Sequence, residues 1–316
     1  MNKSINGCWP TMITPFTDDN KIDFEAVKNV TDWYINAGCD GIFAVCQSSE
    51  MFFLGESEKI DLAKAVVDAA AGRVKVIASG HTADEKSRQI DELGNMAGTG
   101  VDAVILVSNR LAEENESDEV LESNFENIIR QLPGIKFGIY ECPYPYLRLL
   151  STDFIGKTAR NGTLLSIKDV SCNVKTQKER IAAVKGTPFA LLNANTATLL
   201  DFLEAGGDGY NGVMGNFHMD LYKWLYLNHK SEPELSRELS DFLTLAAVIE
   251  SRAYPVSAKY HFSVTGVPMG LHTRAKSKSI LNENACLEVK SLIRMEDRMR
   301  KKLGVSSLKE LTATFR

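Results

Sequence analysis

The chain has 316 residues, 44% of them hydrophobic and 24% charged, with a formal net charge of −5. That length can bury a large core, as one α/β barrel or as two smaller domains. The mild acidity gives no electrostatic footprint for nucleic acid or an anionic membrane, which leaves a small molecule as the expected partner.

The opening stretch MNKSINGCWPTMITPF has no basic segment followed by a long apolar run, so no secretory signal is expected. No apolar stretch reaches the roughly 18–20 residues that cross a bilayer, and a cytoplasmic protein is expected. The first strand-like run is Gly7–Thr14. Asp23 then reads as the N-cap of a helix with Phe24, Val27, Val30 and Tyr34 at helical spacing, stopped by Gly38. A second run, Gly41–Cys46, precedes a helix that starts near Ser57, carries Ile60, Ala63, Val67 and Ala70, and ends at Gly72. Val74–Ser79 is followed by a helix over 83–97, and Ala103–Ser108 by one opening at Ser117 with Val120, Leu121, Phe125 and Ile128. Phe137–Glu141 leads into a helix opened by Ser151 or Thr152. The runs Leu164–Val170, Phe189–Asn195 and Gly209–Met214 alternate with helices over 175–185, 196–206 and 217–229.

Each run is short, continuous and bounded by Gly, Asp, Asn or Pro, as in parallel strands covered on both faces. Eight strand–helix units before residue 230 predict an α/β fold, a (β/α)8 TIM barrel, with a doubly wound sheet as the alternative. Beyond it no strand-like run appears. Leu239, Leu243, Ala246 and Ile249, then Val289, Leu292, Met295 and Met299, predict a C-terminal helical extension. Residues 1–229 are thus expected to form the barrel with the active site, and 230–316 a helical region packed on it. Gly207-Asp-Gly-Tyr-Asn-Gly212 matches G-x-G-x-x-G, but runs from a helix into a strand. A dinucleotide fingerprint needs the opposite order.

In such a barrel the site lies at the C-terminal ends of the strands. Polar groups gather there, and among these strand-end groups only Lys168 is a lysine in a strand core. Side chains alternate along a strand, so Ser166, Lys168 and Val170 share a face, as do Gly138, Tyr140 and Cys142. With both faces turned inward, an amine meets a phenol. Desolvation favours the neutral amine, which attacks a ketone to give a Schiff base. The local pattern equally fits a lysine that snorkels or pairs with Asp169, and a tyrosine that packs the core. Ser48 and Ser49 offer hydroxyls and loop N–H groups to a carboxylate. Asn195 and Asn211, at strands seven and eight, are further substrate-binding candidates. His81, Arg110 and Arg148 stand near the same ends with no assigned contact. Six cysteines without CxxC spacing read as free thiols, and no histidine pairing indicates a metal.

The segments TMITPFTDDNKIDFEAVKNVTDWYINAGCDGIF, RVKVIASG, GIYECP before SIKD, LDFLEAGGDGYNGVMGN and YPVSAKYHFSVTGV occur in an order and spacing that extend over essentially the whole chain. The chain resembles the dihydrodipicolinate synthase / N-acetylneuraminate lyase family of class I aldolases. By that resemblance Lys168 matches the Schiff-base lysine and Tyr140 the strand-five tyrosine that shuttles protons. The stretch CQSSE matches the loop that holds the carboxylate of a 2-oxo acid, with Gln47 and Ser48 at its two hydroxyl positions. The resemblance implies a covalently bound pyruvate-like 2-oxo acid, no metal or other cofactor, and a homo-oligomer, tetramer or dimer.

The departures concern the second substrate. Pro145 stands where dihydrodipicolinate synthases have an arginine, and Arg148 comes three residues later. The stretch VSNRLAEENESDE lacks the relay tyrosine, Gln47 replaces a relay threonine, and Asn195 and Thr196 stand where sialic acid lyases have acidic residues. A Schiff-base lyase or aldolase acting on a 2-oxo acid is the expectation. Dihydrodipicolinate synthase itself, a 2-oxo-3-deoxy sugar acid aldolase or dehydratase, and a non-catalytic 2-oxo acid sensor are the alternatives.

Overall fold

The computed structural model describes residues 5–315, so the reading of the extreme N-terminus falls in part outside the described residues. Eight parallel strands form the sheet: β1 (Gly7–Cys8), β2 (Gly41–Phe43), β3 (Lys75–Ala78), β4 (Ala103–Val107), β5 (Phe137–Tyr140), β6 (Leu164–Asp169), β7 (Ala190–Asn193) and β8 (Gly209–Tyr210). Their order is β1-β8-β7-β6-β5-β4-β3-β2. Beyond β1 the chain crosses to β2 and closes the ring: Met12 N donates to Phe43 O at 3.0 Å and Phe43 N to Pro10 O at 3.0 Å. The (β/α)8 barrel is the observed fold.

The helices between them are α1 (Phe24–Asn36), α2 (Glu56–Ala70), α3 (Lys86–Ala97), α4 (Asp118–Gln131), α5 (Thr152–Asn161), α6 (Val174–Ala183), α7 (Leu199–Glu204) and α8 (Gly215–Asn228). Asp23 caps α1 by accepting from Ala26 N at 3.0 Å, and Ser151 caps α5 by accepting from Phe154 N at 3.2 Å. Strands β1 and β8 are shorter than their apolar runs. Gly209, at φ +149°, presses so closely on β1 that an added Cβ would stand 1.9 Å from Gly7 O. Past that contact the two segments stay joined by Trp9 N, which donates to Tyr210 O at 2.8 Å, and the pairing loosens at Thr11 N, 3.5 Å from Gly212 O. The G-x-G-x-x-G stretch is thereby explained as packing, since a Cβ on Gly207 or Gly212 would strike the Phe202 or Tyr210 ring.

The C-terminal part is helical: α9 (Pro233–Ala246), a 3₁₀ turn (Ala247–Ser251), α10 (Val256–Thr265), α11 (Glu283–Leu303) and α12 (Leu308–Leu311). One hydrophobic cluster runs from barrel residues such as Trp33 and Tyr34 into Leu239, Leu243, Phe262 and Val289. On α11, Val289, Leu292 and Met299 are buried, but Met295 is exposed, and its neighbour Glu296 takes the inward place. Glu296 bonds to His218 Nδ1 at 2.9 Å, His261 Nε2 at 3.0 Å and Arg300 at 3.2 Å. It ties α11 to α8 and α10. These partners hold its carboxyl well below the usual range, against the opposing effect of burial. A depressed folded-state pKa adds stability above the unfolded value of about 4.3 and loses it as pH falls through the folded value. Glu296→Gln is therefore expected to lower the melting temperature at pH 7, with the gap closing in strong acid. Thermal melts across pH check this. Among the described residues no helix is long and apolar enough to cross a membrane.

Candidate active site

Strands β5 and β6 place Tyr140 directly beside Lys168 in register. Lys168 Nζ lies 4.4 Å from the centroid of the Tyr140 ring and 5.9 Å from that of Phe43. The side chain is 7% exposed, and its amine has no hydrogen bond or ion pair among the described residues. A ring face returns about 0.5–2 kcal/mol to a cation, against several kcal/mol for taking an ion out of water. Burial therefore wins and lowers the Lys168 pKa, opposed by the Cys46 and Cys142 thiols and by Glu250.

Asp169 is not its partner. The residue after each member of the pair points away from the barrel axis, and both meet one guanidinium. Arg180, on α6, bonds to Glu141 at 2.7 Å and 3.1 Å, to Asp169, and to Leu150 O at 2.7 Å. All three charged groups are essentially inaccessible. The ends of β5 and β6 are thus clamped together behind the amine–phenol pair.

Tyr140 Oη donates to Gln47 Oε1 at 3.2 Å, and Cys142 Sγ lies 3.7 Å from the same oxygen. Burial and nearby thiols raise the phenol well above its ordinary pKa, so it stays protonated at neutral pH. Ser48 Oγ donates to Thr11 Oγ1 at 3.1 Å. The backbone N–H groups of Gln47 and Ser48 have no partner among the described residues. Ser49 is placed otherwise. Fully buried behind the loop, its hydroxyl reaches Ala44 O at 2.6 Å and Met12 O at 2.8 Å and accepts from Cys46 N at 3.0 Å.

Gln47, Ser48, Tyr140 and Lys168 line one cavity of about 410 Å³. Asn195 and Asn211 do not. Asn195 Oδ1 accepts from Thr198 N at 3.1 Å and holds the turn after β7, whereas Asn211 is buried with its Oδ1 unpartnered among the described residues. His81 accepts from Val107 N at 3.1 Å and is pushed down to about 4 by burial, a neutral structural imidazole. Arg110 pairs with Asp84 and lies over the Phe52 ring, and Arg148 pairs with Asp118 at 2.7 Å.

Several lining residues escape a strand-end reading because they come from loops and from the C-terminal helices. Phe52 and Phe53 follow the Gln47–Glu50 loop, Tyr144 follows β5, and Glu250, Tyr254, Pro255, Ala275 and Lys276 lie beyond residue 230. Glu50 fastens the loop to this outer shell, accepting from Arg274 N at 2.6 Å, Ala275 N at 2.7 Å and Lys259 Nζ at 3.3 Å. All six cysteines are free. Among the described residues no cluster of His, Cys, Asp or Glu has the makings of a metal site.

A family model described as the Dihydrodipicolinate synthetase family matches residues 4–295. A 4-hydroxy-tetrahydrodipicolinate synthase of Shewanella denitrificans is 27% identical over 219 residues, 69% of this chain and 73% of that one. Its counterpart in Shewanella piezotolerans is 24% identical over 282 residues, 88% of this chain and 93% of that one. Among solved structures, the Escherichia coli prophage protein YagE in complex with pyruvate superposes with a TM-score of 0.83 at 22% identity, covering 93% of this chain and 99% of that one. The 4-hydroxy-tetrahydrodipicolinate synthase of Methylacidiphilum fumariolicum gives 0.82 at 22% identity, covering 95% and 99%. At that identity the structures speak for the fold, while the match over residues 4–295 speaks for descent: the chain belongs to the dihydrodipicolinate synthetase family.

Proposed function

We propose that the protein is a Schiff-base-forming lyase that makes or breaks a C–C bond next to the carbonyl of pyruvate or a related 2-oxo acid. The observation that carries this is a buried lysine amine with no counter-ion lying over a protonated phenol. The neutral amine attacks the C2 ketone, and Tyr140 supplies the proton that lets water leave the carbinolamine. The resulting iminium takes up the electron pair of the bond beside it as an enamine. The free N–H groups of Gln47 and Ser48, with the Ser48 hydroxyl, are suited to the substrate carboxylate. No part of this scheme calls for a cofactor.

The reading extends to a cytoplasmic homo-oligomer, tetramer or dimer, on the strength of the family likeness. Dihydrodipicolinate synthase activity is the less favoured variant: Pro145 replaces the expected arginine, and Arg148 is held by Asp118 on α4. A sugar acid aldolase or dehydratase would use the same iminium.

Incubation with pyruvate and borohydride is expected to fix a reduced pyruvyl group on the peptide bearing Lys168, read by mass spectrometry. No adduct with pyruvate or a panel of 2-oxo acids would sink the proposal. Equal binding of pyruvate by wild type and Lys168→Ala, with no adduct, would favour a non-catalytic sensor.

A further inference from the structure

One acidic side chain in the cavity wall has no partner. Glu250 comes from outside the barrel, on the 3₁₀ turn Ala247–Ser251 that follows α9, yet lines the same cavity as Lys168. Its carboxyl makes no hydrogen bond or ion pair among the described residues, and the side chain is open to whatever enters the mouth. The other acid of the wall, Glu50, differs in this respect, since Lys259 and two backbone N–H groups occupy it. On the strand side the proton donors already have acceptors. Tyr140 gives its proton to an amide oxygen that passes none on, and Ser48 donates to Thr11. Tyr254 Oη accepts from Asn216 Nδ2 at 3.3 Å and keeps its own proton, but burial raises this phenol well above its ordinary pKa, which leaves it a far weaker acid than a carboxyl.

Much of the rest of the wall is aromatic. The Phe52 and Tyr144 rings lie 4.9 Å apart, and Arg110, over the Phe52 ring, is neutralised by Asp84. Such a surface takes an apolar body; of the other charged groups on the wall, the Glu250 carboxylate disfavours an anionic partner and the exposed Lys276 offsets it, so the aromatic rings decide the preference.

We propose that Glu250 is the acid–base group for the oxygen of the second partner, an uncharged aldehyde whose body lies against Phe52 and Tyr144. The assignment rests on Lys168 forming the Schiff base. In condensation the enamine carbon bonds to the aldehyde carbon, and the carbonyl π pair moves to oxygen, which takes the proton of the Glu250 carboxylic acid. The nitrogen lone pair restores the iminium on Lys168. In cleavage the Glu250 carboxylate removes the proton of the hydroxyl, the C–C pair moves into the iminium to give the enamine, and the aldehyde leaves. The cavity walls crowd the Glu250 carboxyl although it is open at the mouth, and push it up to about 7, opposed by the charge on Lys168, so both forms are populated near neutrality.

The test separates the two halves of the reaction in the full-length protein. Exchange of the pyruvate methyl protons in deuterium oxide reports enamine formation, and condensation of pyruvate with benzaldehyde or with glyoxylate reports the second half. For Glu250→Gln, exchange is expected within about two-fold of wild type while condensation with benzaldehyde falls by about 100-fold or more. Benzaldehyde is expected to outperform glyoxylate in wild type. Condensation that survives the substitution, or falls by the same factor as exchange, overturns the proposal. So does a preference for glyoxylate, or a wild type that exchanges pyruvate but condenses neither aldehyde. A wild type that forms no pyruvate adduct fails earlier, and takes the Schiff-base reading with it.

Discussion

Replacing Lys168 by alanine is expected to abolish the borohydride-trapped adduct and to lower turnover by about 10⁴-fold or more, as when other covalent nucleophiles are removed. The stability of the same position should move the other way. The folded-state pKa of Lys168 lies below the unfolded value of about 10.4, because burial disfavours the ammonium. Between the two values the unfolded chain binds more protons, so the cost of burying this amine is present at neutral pH and vanishes as pH rises past the unfolded value. Lys168→Met, close in length and without charge, is expected to melt at a higher temperature than wild type at pH 7, by a margin that shrinks toward pH 10. Melts of both proteins across that range, beside the adduct assay, check the pair of effects. A Met variant less stable than wild type at pH 7 would mean that the amine is better compensated than its surroundings indicate.

The second large effect is expected at Arg180. Arg180→Met leaves Glu141 and Asp169 buried without their cation, an arrangement that costs about 3–5 kcal/mol. At about 1.5 °C per kcal/mol for a chain of 316 residues, the melting temperature should fall by roughly 5–8 °C. Two carboxyls without a cation have raised folded-state pKa values, so the deficit should be smallest in acid and grow as pH rises through their range. Adding Glu141→Gln and Asp169→Asn to Arg180→Met should recover part of the loss, since neutral amides replace the uncompensated charges. Turnover per folded molecule should fall too, because the clamp sets Tyr140 against Lys168. A melting temperature within about 2 °C of wild type would rule out the clamp as a main support of β5 and β6.

The strands were legible because β-type runs bounded by turn residues have one good reading, and their alternation groups Lys168 with Ser166 and Tyr140 with Gly138, so that amine and phenol meet once both faces turn inward. The same alternation set Asp169 on the outer face. Its partner was hidden, because Arg180 sits on a helix so polar in sequence that its arginine looks solvated. Glu296 was hidden similarly, one position from the Met295 that the apolar spacing favoured. Ser49 looked equivalent to Ser48, and only the turn of the loop separates a hydroxyl bonded to carbonyls from one that lines the cavity. Glu250 is 82 residues from Lys168 in sequence and stands in a short turn after an amphipathic helix, where an acid carries no local signal. Periodicity finds elements and their faces. It does not find which distant turn leans over which strand end.

That lean gives the cavity wall two origins. The amine, the phenol and the loop facing them belong to the ring of strands, where a shift of one residue would turn every side chain to the wrong face. Glu250, Tyr254, Ala275 and Lys276 belong to a helical collar that owes nothing to strand register. Sequence change in the collar can therefore alter which molecule is accepted while the bond-making centre keeps its geometry, so enzymes with this barrel need not rebuild their chemistry to acquire a new partner.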